Sequence, residues 1–272
     1  NDRELLSFHS IPPKKSLGQN FLHDPNALEK IVEIADLPPD AEVLEIGPGT
    51  GNLTRVLAGH AARVVAVEMD NRLLPILRVG FAATPAVELV HADILELDLA
   101  AIFDERPYYV VANLPYYITS AILRRLLENR PRPERIVITV QREVAERLVA
   151  APGDLSLLGV SVQFYGHPQI AMRLNPAAFW PRPDVESAVV RIDVYPRPPV
   201  DVPDEKTFFR VVRAGFSQKR KQLRNSLGSG LGVGKAAADG LLSRAEIEGH
   251  RRAETLTLEE WAALARALAE TT

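Results

Sequence analysis

The sequence predicts an α/β domain on an open parallel sheet, followed by a small all-helical domain. Three observations predict it. A strand pattern at 42–46 runs straight into Gly47-Pro48-Gly49-Thr50-Gly51 and then into an apolar helix, which is the opening of a nucleotide-binding βαβ unit. Apolar, β-branched runs then alternate with helix-spaced segments, the pattern of strands joined by crossover helices. After Tyr195-Pro196-Arg197-Pro198-Pro199, a stiff linker, the remaining segments have helical spacing. The expected domains are 1–199 and 200–272.

With 272 residues, 46% of them hydrophobic, the chain can bury a full core. No stretch approaches the roughly 18 uninterrupted apolar residues of a membrane helix. Residues 1–10 lack the charged start and apolar block of a signal peptide, so a cytoplasmic protein with no membrane partner is expected, as a monomer. Cysteine is absent, which excludes disulfides, thiolate zinc sites and any cysteine nucleophile. Methylation of a pyrimidine carbon through a cysteine adduct falls with them.

The formal net charge of -3 hides a division along the chain. Residues 200–272 hold 12 Lys and Arg against 10 Asp and Glu, whereas the first 199 hold 20 against 25. Between Glu205 and Asp239 eight basic residues occur with no acid, among them Lys219, Arg220, Lys221 and Arg224. A local basic face on a mildly acidic body suits docking on one nucleic-acid surface, with an acidic pocket kept for a cationic small molecule. A solvated helix face would read the same way.

In chain order, Lys14-Lys15-Ser16-Leu17-Gly18-Gln19-Asn20-Phe21-Leu22 reads as an irregular N-terminal arm. Asp24-Pro25 starts a helix at 26–35, where Leu28, Ile31, Val32 and Ala35 share a face. Pro38-Pro39 ends it. The strand at 42–46, the glycine loop and a helix at 53–58 follow. The next strand, 63–67, ends in Glu68, seventeen positions after Gly51, where a carboxylate can accept both hydroxyls of a ribose. The glycines follow G-x-G-x-G, with Asn52 where a dinucleotide site has its third glycine, which suits a ligand without a pyrophosphate and disfavours a nicotinamide dehydrogenase.

A helix at 72–79 leads to a strand at 87–90 and then His91-Ala92-Asp93, where Asp93 can accept from the amino group of an adenine ring. Glu45, Glu68 and Asp93 thus stand at consecutive strand ends and are expected to converge on the ligand crevice. Singly, Glu45 could be a cap and Asp93 a turn acid. His91 has no second metal ligand at useful spacing, so no metal is expected.

The fourth strand is the chain's focal stretch, Tyr108-Tyr109-Val110-Val111-Ala112-Asn113-Leu114-Pro115-Tyr116-Tyr117. A β-branched run stops at an amide, a proline and two aromatics. Asn113 offers a side-chain carbonyl, Pro115 pushes Leu114 out of the helical region so that backbone carbonyls can face a pocket, and Tyr116 supplies a flat face. That group suits a nucleobase whose exocyclic amine is held by its hydrogens. A strand-to-loop turn with Tyr116 as core filler would use the same residues.

A helix at 120–127, a strand at 135–140 and a helix from 141 to about 150 come next. Residues 156–165 fit helix or strand, and 170–174 with 187–194 read as a closing antiparallel pair. The loop between them could present Phe179 opposite Tyr116 to sandwich a base, or bury it as a plug. Helices at 205–216, 222–227, 235–242 and 258–269 make up the second domain.

With Asn113-Leu114-Pro115-Tyr116, the glycine loop and Phe179-x-Pro181-x-Pro183-x-Val185-x-Ser187 in hand, the chain resembles the rRNA adenine N6-dimethyltransferases. The likeness runs from Gly18-Gln19-Asn20-Phe21-Leu22 to the segment Phe216-Ser217-Gln218-Lys219-Arg220-Lys221-Gln222-Leu223-Arg224-Asn225-Ser226-Leu227. Arg252-Ala253-Glu254 and the basic segment make it most similar to the small-subunit branch. The resemblance implies a Rossmann-like S-adenosylmethionine-dependent methyltransferase sheet with a helical C-terminal domain. It implies dimethylation of two adjacent adenosines near the 3′ end of small-subunit rRNA, within an immature small ribosomal subunit. By motif, Asn20, Leu22, Gly47, Gly49, Gly51, Glu68, Asp93 and Asn113 would contact S-adenosylmethionine. Asn113, Leu114, Pro115, Tyr116 and Phe179 would hold the target adenine, and Lys219, Arg220, Lys221, Arg224 and Arg252 would contact RNA. The alternatives are a large-subunit adenine methylase of the macrolide-resistance type and a mainly non-catalytic small-subunit assembly factor.

Overall fold

The computed structural model describes residues 6, 7, 9, 11–14, 18–104 and 106–271. Lys15, Ser16 and Leu17 of the expected arm lie outside the described residues, as do Asn1, Asp2, Arg3, Glu4, Leu5, Phe8 and Ser10 of the segment read for a signal peptide. The elements are β1 (Phe21–Leu22), α1 (Pro25–Ala35), β2 (Glu42–Ile46), α2 (Asn52–Leu57), β3 (Arg63–Glu68), α3 (Leu74–Gly80), β4 (Val87–His91), α4 (Leu99–Phe103), β5 (Tyr109–Asn113), α5 (Thr119–Glu128), β6 (Arg135–Gln141), α6 (Arg142–Leu148), α7 (Leu157–Tyr165), β7 (Gly166–Leu174), β8 (Phe179–Trp180), β9 (Ser187–Val194), α8 (Glu205–Phe216), α9 (Leu223–Leu231), α10 (Gly234–Arg244) and α11 (Leu258–Ala269).

Two compact units divide the chain. One comprises residues up to Ala145 with His167–Val194, the other Glu146–Gly166 with the chain from Tyr195 onward. The boundary at 199/200 expected from the proline-rich stretch therefore moves to 194/195, and 146–166 leaves the first domain. Aromatic packing explains the reassignment: Phe164 of α7 stacks on Phe208 of α8 at 4.4 Å, and Tyr165 Oη donates to Glu205 Oε2 at 2.8 Å. Residues 156–165 are thus a helix, started by Ser156, whose Oγ accepts from Gly159 N.

In the first unit, β4-β3-β2-β5-β6-β9-β7 form one seven-stranded sheet. Strands β2 to β6 run parallel, and β9 is antiparallel to β6 through all its pairs from Ser187↔Gln141 to Asp193↔Arg135. The strand 187–194 therefore lies between β6 and β7 instead of pairing with 170–174 alone. Chain order reverses between β2 and β5, so the crevice opens where these neighbours end, at Gly47 and Asn113. The buried runs of β2, β3, β5 and β6 carry the continuous apolar pattern of strands covered on both faces. Helix α4 was not expected. It is five residues long, too short for a period, and its one local signal is Asp98, whose Oδ1 accepts from Ala100 N and Ala101 N.

The second unit is helical. Phe216 packs on Trp261 with ring centroids 5.6 Å apart, and Thr257 and Glu260 close a capping box at the start of α11. Among the described residues no helix is long and apolar enough to cross a membrane.

Candidate active site

An open cleft lies at the C-terminal ends of β2, β3, β4 and β5, within the first unit. Residues 18–21 of the arm, Ile46, Gly47, Gly49, Val67 to Met69, Ala92 to Ile94 and 113–118 line it.

Its loop needs glycine. Gly47 and Gly49 have φ of +69° and +61°, the left-handed region. A Cβ on Gly47 would meet no atom within 4 Å and would stand in open space, whereas one on Gly49 would lie 2.8 Å from the Phe21 ring. Gly51 faces the other way: a Cβ there would strike Phe81 at 2.7 Å, and the residue caps α2 with φ +84° instead of lining the cleft.

Glu68 ends β3 in the cleft. Its Oε2 accepts from Gly49 N at 3.1 Å and its Oε1 from Asp70 N at 2.7 Å, which leaves lone pairs on both oxygens. Burial raises its pKa, opposed by those two backbone donors. Asp93 lines the neighbouring wall, with Oδ1 accepting from Leu95 N at 2.9 Å. Glu45 does not join them. Side chains alternate along a strand, and with Ile46 facing the cleft, Glu45 turns to the opposite face, 1% exposed. Burial pushes its carboxyl up to about 8, with Thr54 opposing this and Glu68 adding to it, so it is protonated at neutral pH. Two acids converge on the crevice instead of three.

Asn113 ends β5 beside β2. Its Nδ2 donates to the Asn20 carbonyl at 2.9 Å. A carbonyl can only accept, so the amide nitrogen is fixed on the arm side and the Asn113 oxygen is turned away from it, free to accept. Leu114 N is held by Thr139 O at 3.2 Å. The Pro115 carbonyl is occupied by Ile118 N and Thr119 Oγ1, both at 3.3 Å, while that of Leu114 accepts no hydrogen bond among the described residues. Tyr116 is partly buried, its Oη bonded to Ser187 Oγ at 2.6 Å, and burial raises its pKa, so the phenol stays neutral.

Phe179 and Leu22 are not brought to the cleft. Phe179 pairs with Leu22 across β8 and β1, and both side chains, 2% and 4% exposed, lie in the core cluster with Leu28, Ile31 and Val189. Leu22 contributes instead through its carbonyl, which accepts from Asn52 Nδ2 at 3.0 Å and ties the arm to α2. The pair of aromatics expected around one base is therefore Tyr116 without Phe179. Met69 and Tyr117, 44% and 56% exposed, line the cleft and were not anticipated. Their signal was adjacency to Glu68 and to Tyr116.

In the second unit Lys219, Arg220 and Lys221 stand exposed in the loop between α8 and α9 and make no ion pair among the described residues. Arg224 faces Asp239 at 3.6 Å and Arg252 faces Glu254 at 3.8 Å, so these two cations are partly neutralised.

A family model described as Ribosomal RNA adenine dimethylase matches residues 12–264. The chain belongs to the ribosomal RNA adenine dimethylase family. Among relatives of this dimethylase, a protein named Ribosomal RNA small subunit methyltransferase A from Dehalococcoides mccartyi is 45% identical over 260 residues, covering 95% of this chain and 89% of the relative. One of the same name from Geobacillus is 44% identical over 276 residues, covering 98% and 95%. Of solved structures, the 23S rRNA methyltransferase ErmE superposes with a TM-score of 0.72 at 30% identity, covering 92% of this chain and 100% of that one. A dimethyladenosine transferase from Plasmodium falciparum, at 23% identity and a TM-score of 0.76 over 92% and 98%, shares the fold.

Proposed function

We propose that this dimethylase transfers methyl groups from S-adenosylmethionine to N6 of two adjacent adenosines near the 3′ end of small-subunit rRNA, in an immature small ribosomal subunit. The observation that carries the chemistry is the fixed amide of Asn113, whose oxygen is left as an acceptor beside the Leu114 carbonyl, which accepts no hydrogen bond among the described residues. The 44–45% identity to small-subunit methyltransferases, against 30% to ErmE, supports that choice of RNA.

The cleft fits the methyl donor. Gly47 leaves open space where any side chain would stand, Glu68 offers lone pairs to a ribose, and Asp93 can accept from an adenine amino group. Asn20 and Gly49 complete that wall. When bound, the sulfonium supplies an electrophilic methyl group. Everything else falls to the chain. The N6 amine is a poor nucleophile because its lone pair is delocalised into the ring. Asn113 Oδ1 and the Leu114 carbonyl accept its two hydrogens, so the nitrogen can rehybridise and aim its lone pair out of the ring plane. As positive charge grows on that nitrogen the two acceptors bind more strongly, which is where catalytic interactions act. The Tyr116 face holds the base, and Ser187 holds Tyr116. Positioning the partners can contribute up to about 7 to 11 kcal/mol, so no strong base is required. The methylated nitrogen then carries a positive charge and releases one proton to solvent, so a single hydrogen remains, and the monomethyl product rotates or rebinds for the second transfer. Lys219, Arg220 and Lys221 contact phosphates during docking.

The test is to incubate the protein and S-adenosylmethionine with small ribosomal subunits lacking base methylation, digest the RNA and quantify adenosine species by mass spectrometry, with large subunits in parallel. Dimethyladenosine on small-subunit RNA alone is expected. Modified large-subunit RNA would move the activity to the resistance-methylase branch, and binding without methylation would favour an assembly factor.

A further inference from the structure

Asp70 lies two residues beyond β3, and its side chain has no solvent exposure. It does not line the cleft, yet it touches both halves of it. Its backbone N–H donates to Glu68 Oε1 at 2.7 Å, on the wall assigned to the ribose. Its carboxylate accepts from Gln19 Nε2 at 2.9 Å, on the arm. The next residue along the arm is Asn20, whose carbonyl accepts Asn113 Nδ2 and thereby decides which way the Asn113 oxygen faces.

Arg72 completes the assembly. Its Nη2 and Nε donate to Asp70 at 2.6 and 2.9 Å, and its Nη1 donates to the Pro12 carbonyl at 3.1 Å. The Gln19 side-chain oxygen accepts from Lys14 N at 2.7 Å, so both ends of the Gln19 amide are used. The Asp70 carboxylate also accepts from Arg72 N, and with donors from Gln19 and Arg72 on it the group has no acceptor capacity to spare for a ligand. Arg72 holds the carboxyl at about 2, so it is ionised throughout the neutral range.

We propose that Asp70, acting through Gln19, is a positioning residue that locks the Glu68 carboxylate and the Asn113 amide into one frame, so that methyl donor and acceptor amine are aligned together. The inference rests on the methyl-transfer reading of the cleft. A misalignment of about 1 Å can lower a rate by about a hundredfold, which is the scale available to such a link.

Asp70→Asn, Gln19→Leu and the double variant, each in the full chain, test it with two measurements. Hydrogen–deuterium exchange of residues 18–22 in ligand-free protein reads the link directly. Steady-state methylation of small subunits reads its consequence. Both single variants should speed exchange in that segment and lower kcat by about tenfold to a hundredfold, with KM for the RNA at its wild-type value. The double variant should be no slower than the slower single, because both break the same connection. Asp70→Asn uncovers Arg72 and can prevent folding; Gln19→Leu leaves the Asp70–Arg72 pair intact and decides the matter by itself. Unchanged exchange in Gln19→Leu, an unchanged kcat, or additive losses would each overturn the proposal. A wild-type protein that methylates no small-subunit RNA would defeat the functional reading, and the exchange of Gln19→Leu would still decide the link.

Discussion

Replacing Asn113 by Ala separates what this residue does for the fold from what it does for the reaction. The fold loses one hydrogen bond, Nδ2 to the Asn20 carbonyl at 2.9 Å, from a side chain that is only partly buried. Such a bond is worth about 1 kcal/mol, so the protein should still fold, melting a few degrees lower. The reaction loses more. One of the two acceptors aimed at the amine hydrogens disappears, and removing a preorganised group of this kind costs roughly 2.7 to 4 kcal/mol, or about 10² to 10³ in kcat. Asn113→Asp should not rescue it, because a carboxylate oxygen would face the Asn20 carbonyl, and neither can donate. The assay is the initial rate of methyl incorporation into base-unmethylated small subunits, with the melting temperature and the Kd for S-adenosylhomocysteine measured alongside. Wild-type turnover in Asn113→Ala would refute the mechanism. A loss matched wholly by weaker binding of S-adenosylhomocysteine would reduce Asn113 to a ligand-binding group.

Three further outcomes follow from the geometry. Replacing Lys219, Arg220 and Lys221 together by Ala should weaken RNA binding and flatten its salt dependence by about 0.7 to 0.9 in log–log slope for each phosphate no longer neutralised; an unchanged slope would remove this loop from the interface. Ser187→Ala and Tyr116→Phe each delete the 2.6 Å hydrogen bond that orients the ring, and each should lower kcat/KM by about fivefold to tenfold, with the double variant no worse than either single. Glu45 is protonated in the native state up to about pH 8 but only to about 4.5 when unfolded, so between these values the unfolded chain binds fewer protons. Stability should therefore fall as pH rises through that window, by the order of a few kcal/mol, and Glu45→Gln should flatten the fall; parallel melting curves against pH for the two proteins would show that Glu45 is not its source.

Strand ends were legible wherever an apolar run met a residue of different chemistry. The glycine loop after 42–46, Glu68 after 63–67 and the break at Asn113-Leu114-Pro115 each place a functional group by sequence adjacency, and the sheet delivers them to one crevice. Adjacency also found Asp93, and helical periodicity found 205–216 and 258–269. It failed where orientation mattered. Glu45 sits one residue from the cleft but on the wrong face of a pleated strand, and Gly51 turns toward Phe81. Phe179 carries the motif spacing of a base-stacking residue, yet its pairing with Leu22 draws it into the core.

What the sequence determined by itself was local: which runs are extended or helical, where the backbone must adopt positive φ, and which polar groups interrupt apolar segments. These depend on interactions among residues a few positions apart. The tertiary structure decided every relation across the chain. Asn20 and Asn113, 93 residues apart, and Gln19 and Asp70, 51 apart, meet only because the arm folds over a sheet whose strand order reverses between β2 and β5. No local pattern encodes such a meeting, since the free energy that produces it comes from burying the whole sheet and its helices at once.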